Sequence, residues 1–317
     1  MIKKTASKNV TVEYAGYPTI HRLAFQFAHK GYRGSSHIWR IARKFKRAKI
    51  GQYTTLPSGF VMKVNENDWI SKTIYEGTYE RALLKFLQTL DLEEMVIDIG
   101  ANIGVTLWHS LAHNQSNTTF LAYEPSIRCE EGLKLACSRL SAKGELNFFA
   151  IGSVNGKLPL YGVGNQNHSG SASFLLHSGI NGEKVEVEVR TLDSVMSTHG
   201  KSNISLLKID TEGFESEVIK GGAHTLTSQR IDIIIMEVSP NFGPTGFLTH
   251  LERILSNKYF WFRLDETGLT RRLPVLEMIS CTDALRFTSQ WNLVLMRREV
   301  FIKYKEKHNS ITIASTK

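Results

Sequence analysis

Residues 95–104 read Met95-Val96-Ile97-Asp98-Ile99-Gly100-Ala101-Asn102-Ile103-Gly104. A short apolar run ends in Asp98-Ile99-Gly100, and a second glycine follows at Gly104. Such a run suits a strand buried on both faces, and the pattern beyond it predicts a helix over 103–113. The alternation continues outward. Strands are expected at Thr119–Glu124 and Leu146–Ile151, flanking a helix over 126–141 that Ser126 would cap. Further strands are expected at Ser205–Asp210 and Ile231–Val238, with a helix from about Phe214 to Gly221-Gly222 between them. A helix over 245–256 and strands at 258–264 and 291–297 complete the series. Repeated strand–helix units with continuous apolar strands predict a doubly wound α/β sheet.

Residues 156–191 interrupt this alternation. Val185, Val187 and Val189 alternate with Glu186, Glu188 and Arg190, the period of a half-exposed strand. Asn181-Gly182 is a hairpin-turn signal, so an antiparallel insertion is expected, with Gly162–Ser173 as a loop. Before residue 95, two short helices are expected at 20–30 and 36–48. Strand-like runs follow over 59–75, and then a helix over 79–90.

In a doubly wound sheet, ligands bind outside the carboxyl ends of the strands. The first loop carries Gly100, Ala101, Asn102 and Gly104. Asn102 stands where a dinucleotide site needs its middle glycine, so a nicotinamide dinucleotide is disfavoured. Backbone N–H groups from Ile103 onward would be available to a ligand carboxylate. Glu124 ends the second strand and can accept from ribose hydroxyls; Pro125 follows it, and Ile151 ends the third strand. An amino-acid end, a ribose and an adenine together match S-adenosylmethionine. Asp98 is expected to accept backbone N–H groups around the loop or the ligand's ammonium.

These segments resemble the FkbM family of S-adenosylmethionine-dependent methyltransferases. The resemblance rests on Val96–Gly104, Ala122-Tyr123-Glu124-Pro125, Val189–Ser194, Leu207-Lys208-Ile209-Asp210-Thr211-Glu212-Gly213-Phe214-Glu215 and Met236-Glu237-Val238. It covers about residues 75–240. The Lys-Ile-Asp-x-Glu-Gly segment is its specific part, because the glycine loop is shared by many methyltransferases. The resemblance implies a Rossmann-like fold with a seven-stranded, mostly parallel sheet whose last strand is antiparallel. It also implies methyl transfer, usually to an oxygen of a sugar or natural product. Through the dipeptide Tyr79-Glu80 it implies a cofactor-side contact for Glu80.

Methyl transfer from a sulfonium is an in-line displacement that depends on alignment, and a hydroxyl acceptor needs a base or an electrophilic stabiliser. Asp210 and Glu212 are the best-placed acids, with Lys208 two residues earlier on the same strand face. Which acid is the base stays open. No residue set is assigned to a metal, although Asp210 and Glu212 could jointly hold a divalent ion. Helix capping is the competing explanation of both acids. Glu237 is a weaker candidate for substrate contact, and His168 or His177 could reach the site from the insertion.

The chain has 317 residues and a net charge of +9, unevenly spread. Residues 1–50 hold 12 Lys and Arg against one acid, Glu13, while the remaining 267 hold 27 basic and 29 acidic residues. The basic segment suits an anionic partner, such as nucleic acid, anionic lipid or a charged glycan, or else forms a solvated face with Arg40, Arg43, Lys44 and Arg47. Leu23, Phe25, Phe27, Ile38, Trp39, Ile41 and Phe45 read as packing residues, which argues against a transit peptide. The division expected is a basic extension over 1–75, a methyltransferase domain over 76–300 and a polar tail over 301–317. Apolar runs such as Ile233–Met236 fall far short of the roughly 20 residues of a membrane span. Three cysteines without CxxC spacing and no signal-like apolar core point to a cytoplasmic protein. The partner expected is a small-molecule or glycan acceptor. Nucleic acid is less favoured, because no Asn/Asp-Pro-Pro-aromatic motif follows the fourth strand. Contact with an anionic membrane surface stays open on charge alone. The sequence is silent on oligomeric state.

Overall fold

The computed structural model describes residues 19–29, 34–45, 53–65, 67–114, 117–163, 172–175, 184–200, 202–239, 246–265, 274–308 and 313–315. In chain order the strands are β1 (Tyr53–Thr55), β2 (Val61–Lys63), β3 (Met95–Ile99), β4 (Thr119–Tyr123), β5 (Lys143–Asn147), β6 (Ala150–Ile151) and β7 (Gly156–Leu160). They continue with β8 (Val185–Arg190), β9 (Ile204–Ile209), β10 (Ile231–Val238), β11 (Tyr259–Asp265), β12 (Val275–Ile279), β13 (Trp291–Arg297) and β14 (Ile313–Ser315).

The main sheet runs β14-β12-β11-β13-β10-β9-β3-β4-β5. Strands β5, β4, β3, β9 and β10 are mutually parallel, and β13 enters antiparallel between β10 and β11. The span from β5 to β11 is therefore the expected seven-stranded sheet. β12 and β14 lengthen its edge to nine.

Every residue of β3 and of β9 is buried, as expected of strands covered on both faces. Their side chains alternate between two cores. Val96, Leu206, Ile233 and Ile235 face one core, and Ile97, Leu207, Ile209 and Ile234 face the other. Trp39, Phe25 and Ala28 from the N-terminal helices Thr19–His29 and Ser35–Ala42 join the first core. The described helices of the basic extension are thus packed on the same hydrophobic core as the sheet. His21 bridges Tyr75 Oη and the Ala42 carbonyl, and Arg43 makes a two-pronged ion pair with Glu76.

Several expectations are corrected. The strand expected at Leu146–Ile151 is broken. β5 ends at Asn147, and β6 leaves for a small sheet ordered β6-β8-β7. That small sheet contains the expected antiparallel insertion, with β7 pairing β8. The strand-like run over 59–75 is β2 followed by a helix, Trp69–Glu76, whose cap Asp68 accepts from Ser71 N. The helix expected from 103 begins at Val105. Ser126 makes no side-chain cap; a 3-10 turn, Ile127–Cys129, precedes the helix Glu130–Cys137. Residues 301–307 continue the helix Arg298–Lys307, which buries Phe301 and Tyr304. Of the expected packing residues, Leu23, Phe27, Ile41 and Phe45 are instead exposed. Asn181-Gly182, His168, His177 and Arg47 lie outside the described residues. No helix among the described residues is long and apolar enough to cross a membrane.

Candidate functional site

A cleft opens at the carboxyl ends of β3, β4, β6 and β9. Gly100 makes its floor possible. It sits at φ 81°, and a Cβ there would lie 1.7 Å from the Asp210 carbonyl oxygen, so the β3 and β9 loops cross where only glycine fits. The crossing is tied by Asp210 N donating to the Ile99 carbonyl at 3.0 Å and Gly100 N to the Tyr123 carbonyl at 2.9 Å. Gly104 has another role. At φ 82° it lets its loop pack against Ala136 and Leu133, and it lies outside the cleft lining.

The first end of the cleft is lined by Gly100, Ala101, Asn102, Glu124, Pro125 and Ile151, all anticipated from sequence. Glu124 is 8% exposed. Its two oxygens accept from Asn102 N at 2.9 Å and Ser126 N at 2.8 Å. Burial raises its carboxyl to about 7, opposed by these two bonds. Each oxygen keeps a lone pair for a further donor, which suits ribose hydroxyls. Pro125, Ala150, Ile151 and Cys129 give an apolar wall for a purine. The donor set and the cradle at Gly100 therefore fit S-adenosylmethionine. One detail departs from expectation. Ile103 N is already bound by Asn102 Oδ1 at 2.8 Å, so it is not available to a ligand carboxylate.

The second end is built by sheet register. Asp98 on β3 lies opposite Lys208 on β9, and Lys208 lies opposite Ile235 on β10. Two residues further along the same face, Asp210 and Glu237 become neighbours. Lys208 is 4% exposed; its Nζ lies 3.0 Å from Asp210 Oδ2 and 3.6 Å from Asp98 Oδ1. Burial alone would lower the Lys208 pKa, but Asp210 and Asp98 outweigh it and hold the ammonium charged. Asp98 also accepts from Thr106 Oγ1 at 3.0 Å and lies beneath the cleft rather than lining it, a structural position. Lys208, Asp210 and Glu212 all line the cleft.

Glu212 stands at φ 52° in a turn with Gly213 at φ 97°. Capping does not explain Asp210 and Glu212, because Glu215 organises this turn. Its Oε1 accepts from Thr211 N, Thr211 Oγ1 and Gly213 N at 2.8, 3.0 and 3.2 Å. Desolvation, followed by the charges of Asp210, Glu215 and Glu80, raises the Glu212 carboxyl to about 8. Glu237 is raised well above its ordinary value by burial and then by Asp210, Glu212 and Glu80. Glu80 lies outside the cleft lining, and one carboxylate oxygen each from Glu80, Asp210 and Glu237 fall within 4.8 Å of one another.

Sequence reasoning missed the cleft's roof. Ser173 Oγ donates to the Glu212 carbonyl at 2.8 Å, and Phe174 stacks on Phe214 with centroids 4.5 Å apart. Leu160, Ala172 and Phe174 thereby bring the insertion over the acidic end. Tyr79 also lines the cleft, and its hydroxyl pKa is raised by burial and by Glu80, Asp210 and Glu237. The dipeptide Tyr79-Glu80 was the available signal for Tyr79. For Phe174 there was none beyond an aromatic residue in a Gly/Ser-rich stretch.

The model of the methyltransferase FkbM domain matches residues 98–260. Methyltransferase sdnD of Sordaria araneosa is 25% identical over 205 residues, covering 55% of this chain and 76% of that protein. Among solved structures, the precorrin-6y C5,15-methyltransferase of Geobacter metallireducens GS-15 is 12% identical with a TM-score of 0.34, covering 69% of this chain and 88% of that one. The Methanococcus jannaschii fibrillarin pre-rRNA processing protein is 12% identical with a TM-score of 0.35, covering 80% and 86%.

Proposed function

Because the chain belongs to the FkbM methyltransferase family, we propose that it methylates a hydroxyl oxygen of a sugar, glycan or natural-product acceptor. The family makes it an S-adenosylmethionine-dependent methyltransferase. When bound, this cofactor supplies a methyl group on a sulfonium. In the proposed arrangement Gly100, Ala101, Asn102, Glu124, Pro125 and Ile151 hold it. Lys208 fixes Asp210, which orients the acceptor hydroxyl, and Glu212 takes the hydroxyl proton as the oxygen accepts the methyl group.

The observation that carries this reading is the placement of Lys208, Asp210 and Glu212 together in the cleft lining, where burial and then Asp210 raise the Glu212 carboxyl. A base works best with a pKa near the working pH. The surplus of carboxylates at this end repels a phosphate backbone, which favours a neutral hydroxylated acceptor over nucleic acid. The test is S-adenosylhomocysteine release with a panel of hydroxylated glycans and metabolites. An O-methyl product from one of them is expected, and its loss in Glu212→Gln with cofactor binding retained. Methylation confined to nitrogen acceptors or RNA would overturn the reading.

A second observation bears on where the acceptor is presented. Leu23 and Phe27 lie four residues apart on one helix, and Ile41 and Phe45 have the same spacing at the next; all four are exposed. Arg22, Arg40 and Lys44 are exposed in the same segments. Apolar side chains among bases suit an anionic membrane surface. Sedimentation with phosphatidylserine vesicles but not phosphatidylcholine vesicles, lost at high salt, is the expected result. Equal sedimentation with neither would remove the membrane from the account.

A further inference from the structure

We propose that Glu80, Asp210 and Glu237 form a site for one hard divalent cation, of the Mg²⁺, Mn²⁺ or Ca²⁺ class, at the acceptor end of the cleft. The proposal rests on the methyl-transfer reading only for the use made of the ion. Three segments far apart in sequence deliver the ligands. Glu80 precedes the helix Arg81–Leu87, Asp210 follows β9, and Glu237 lies on β10. One oxygen from each falls within 4.8 Å of the others. Ligands about 2.1 Å from a Mg²⁺-sized ion stand about 3.0 Å apart in cis and 4.2 Å in trans; at about 2.4 Å from Ca²⁺ the trans separation reaches about 4.8 Å. The trio's separations stay within this outer limit.

The independent sign is Glu237. It is only 5% exposed, and Gln290 Nε2 donates to its Oε1. Its Oε2 is buried and has no hydrogen-bond partner among the described residues. An unsatisfied buried carboxylate oxygen is costly, and a cation is the group that would satisfy it without a further donor. Lys208 does not serve, because its ammonium is shared between Asp210 and Asp98. The donors are all carboxylate oxygens, a set that selects hard cations over zinc or copper.

Three protein oxygens leave positions open in a six- or seven-coordinate ion. Of the three ligands Asp210 lines the cleft, beside Glu212, so two oxygens of a polyhydroxylated acceptor in the cleft would fill those positions. The chelated hydroxyl becomes more acidic, and its proton passes to the Glu212 carboxylate. This identifies an acceptor with adjacent oxygens, such as a vicinal diol, as the preferred class.

The test is Mn²⁺ binding to the full chain, followed by electron paramagnetic resonance, alongside calorimetry with S-adenosylhomocysteine. One Mn²⁺ per chain is expected, displaced by excess Mg²⁺ or Ca²⁺. Its affinity should fall at least tenfold in Glu237→Gln and separately in Glu80→Gln, while S-adenosylhomocysteine affinity holds in Glu237→Gln. A wild-type chain that binds S-adenosylhomocysteine but no Mn²⁺ at millimolar concentration overturns the site and leaves the methyltransferase intact. Mn²⁺ affinity unchanged in both variants overturns it too. Mn²⁺ held through these acids in a chain without S-adenosylhomocysteine affinity supports the site and counts against the methyl-transfer reading.

Discussion

The two ends of the cleft are made in different ways. At the Gly100–Glu124 end, a few consecutive residues at neighbouring strand ends do everything, and the buried carboxylate has both oxygens bound by backbone N–H groups. At the Asp210–Glu212 end, side chains arrive from the segment before β3, from β9, from β10 and from the insertion, and the buried Glu237 Oε2 has no hydrogen-bond partner among the described residues. The first end is a finished cradle for a ligand of fixed chemistry. The second is an acidic workplace whose balance depends on what enters it. The comparison therefore predicts that changes at the first end alter cofactor binding, and changes at the second alter turnover.

The largest effect is expected where the ends meet. Gly100→Ala forces a Cβ against the Asp210 carbonyl, 1.7 Å from where it would stand, on a backbone with φ 81°. A loss on the order of 3 kcal/mol in unfolding free energy is expected, together with loss of S-adenosylhomocysteine binding. Chemical denaturation and calorimetry read both. A stable variant with full affinity would show that the loops do not cross as described.

Next come the variants that should separate the ends. Glu212→Gln should lower kcat by roughly 10²–10⁴ with cofactor affinity unchanged, read by S-adenosylhomocysteine release. Asp210→Asn should likewise abolish turnover while leaving the cofactor bound. Glu124→Ala should do the opposite. Losing hydrogen bonds to a charged group costs about 1.5–3 kcal/mol, or roughly 10- to 150-fold in affinity, in a chain that stays folded. If Glu124→Ala and Glu212→Gln gave the same phenotype, the division of labour would fail.

The smallest effect is a pH dependence. The Glu124 carboxyl is raised from 4.5 to about 7 by burial, against the N–H bonds of Ser126 and Asn102. Ribose hydroxyls donate to the ionised form, so binding must expel a proton below this pKa. S-adenosylhomocysteine affinity should rise from pH 5 to about 7 and then level off. For the ligand-free chain the folded state holds an extra proton across the same window. Its contribution to stability therefore falls as pH rises from about 4.5 to about 7. Calorimetry in buffers of different ionisation enthalpy should detect proton release at pH 6, and affinity independent of pH would exclude Glu124 from the contact.

The contrast between the ends also explains what the sequence disclosed. β3, β9 and β10 were legible because strands buried on both faces are continuously apolar, and Gly100, Asn102 and Glu124 because local spacing places them at adjacent strand ends. β12 and β14 were missed, being short and added at the sheet edge beyond the recognisable pattern. The split of Leu146–Ile151 was hidden because an apolar run does not report which sheet each half joins. Glu80 beside Glu237, and Phe174 over Phe214, depend on long-range packing that residue spacing does not encode. Asp210 and Glu212 were found through their motif, but freeing them from a capping role needed the observation that Glu215 holds the turn.

The most direct test of the account is a parallel calorimetric titration of the wild type, Glu124→Ala and Glu212→Gln with S-adenosylhomocysteine, with NAD as control. The account predicts that the wild type binds S-adenosylhomocysteine and not NAD. It also predicts that Glu212→Gln binds as the wild type does and that Glu124→Ala binds at least tenfold more weakly. A folded wild type that binds neither ligand, or a Glu124→Ala chain with undiminished affinity, would contradict it.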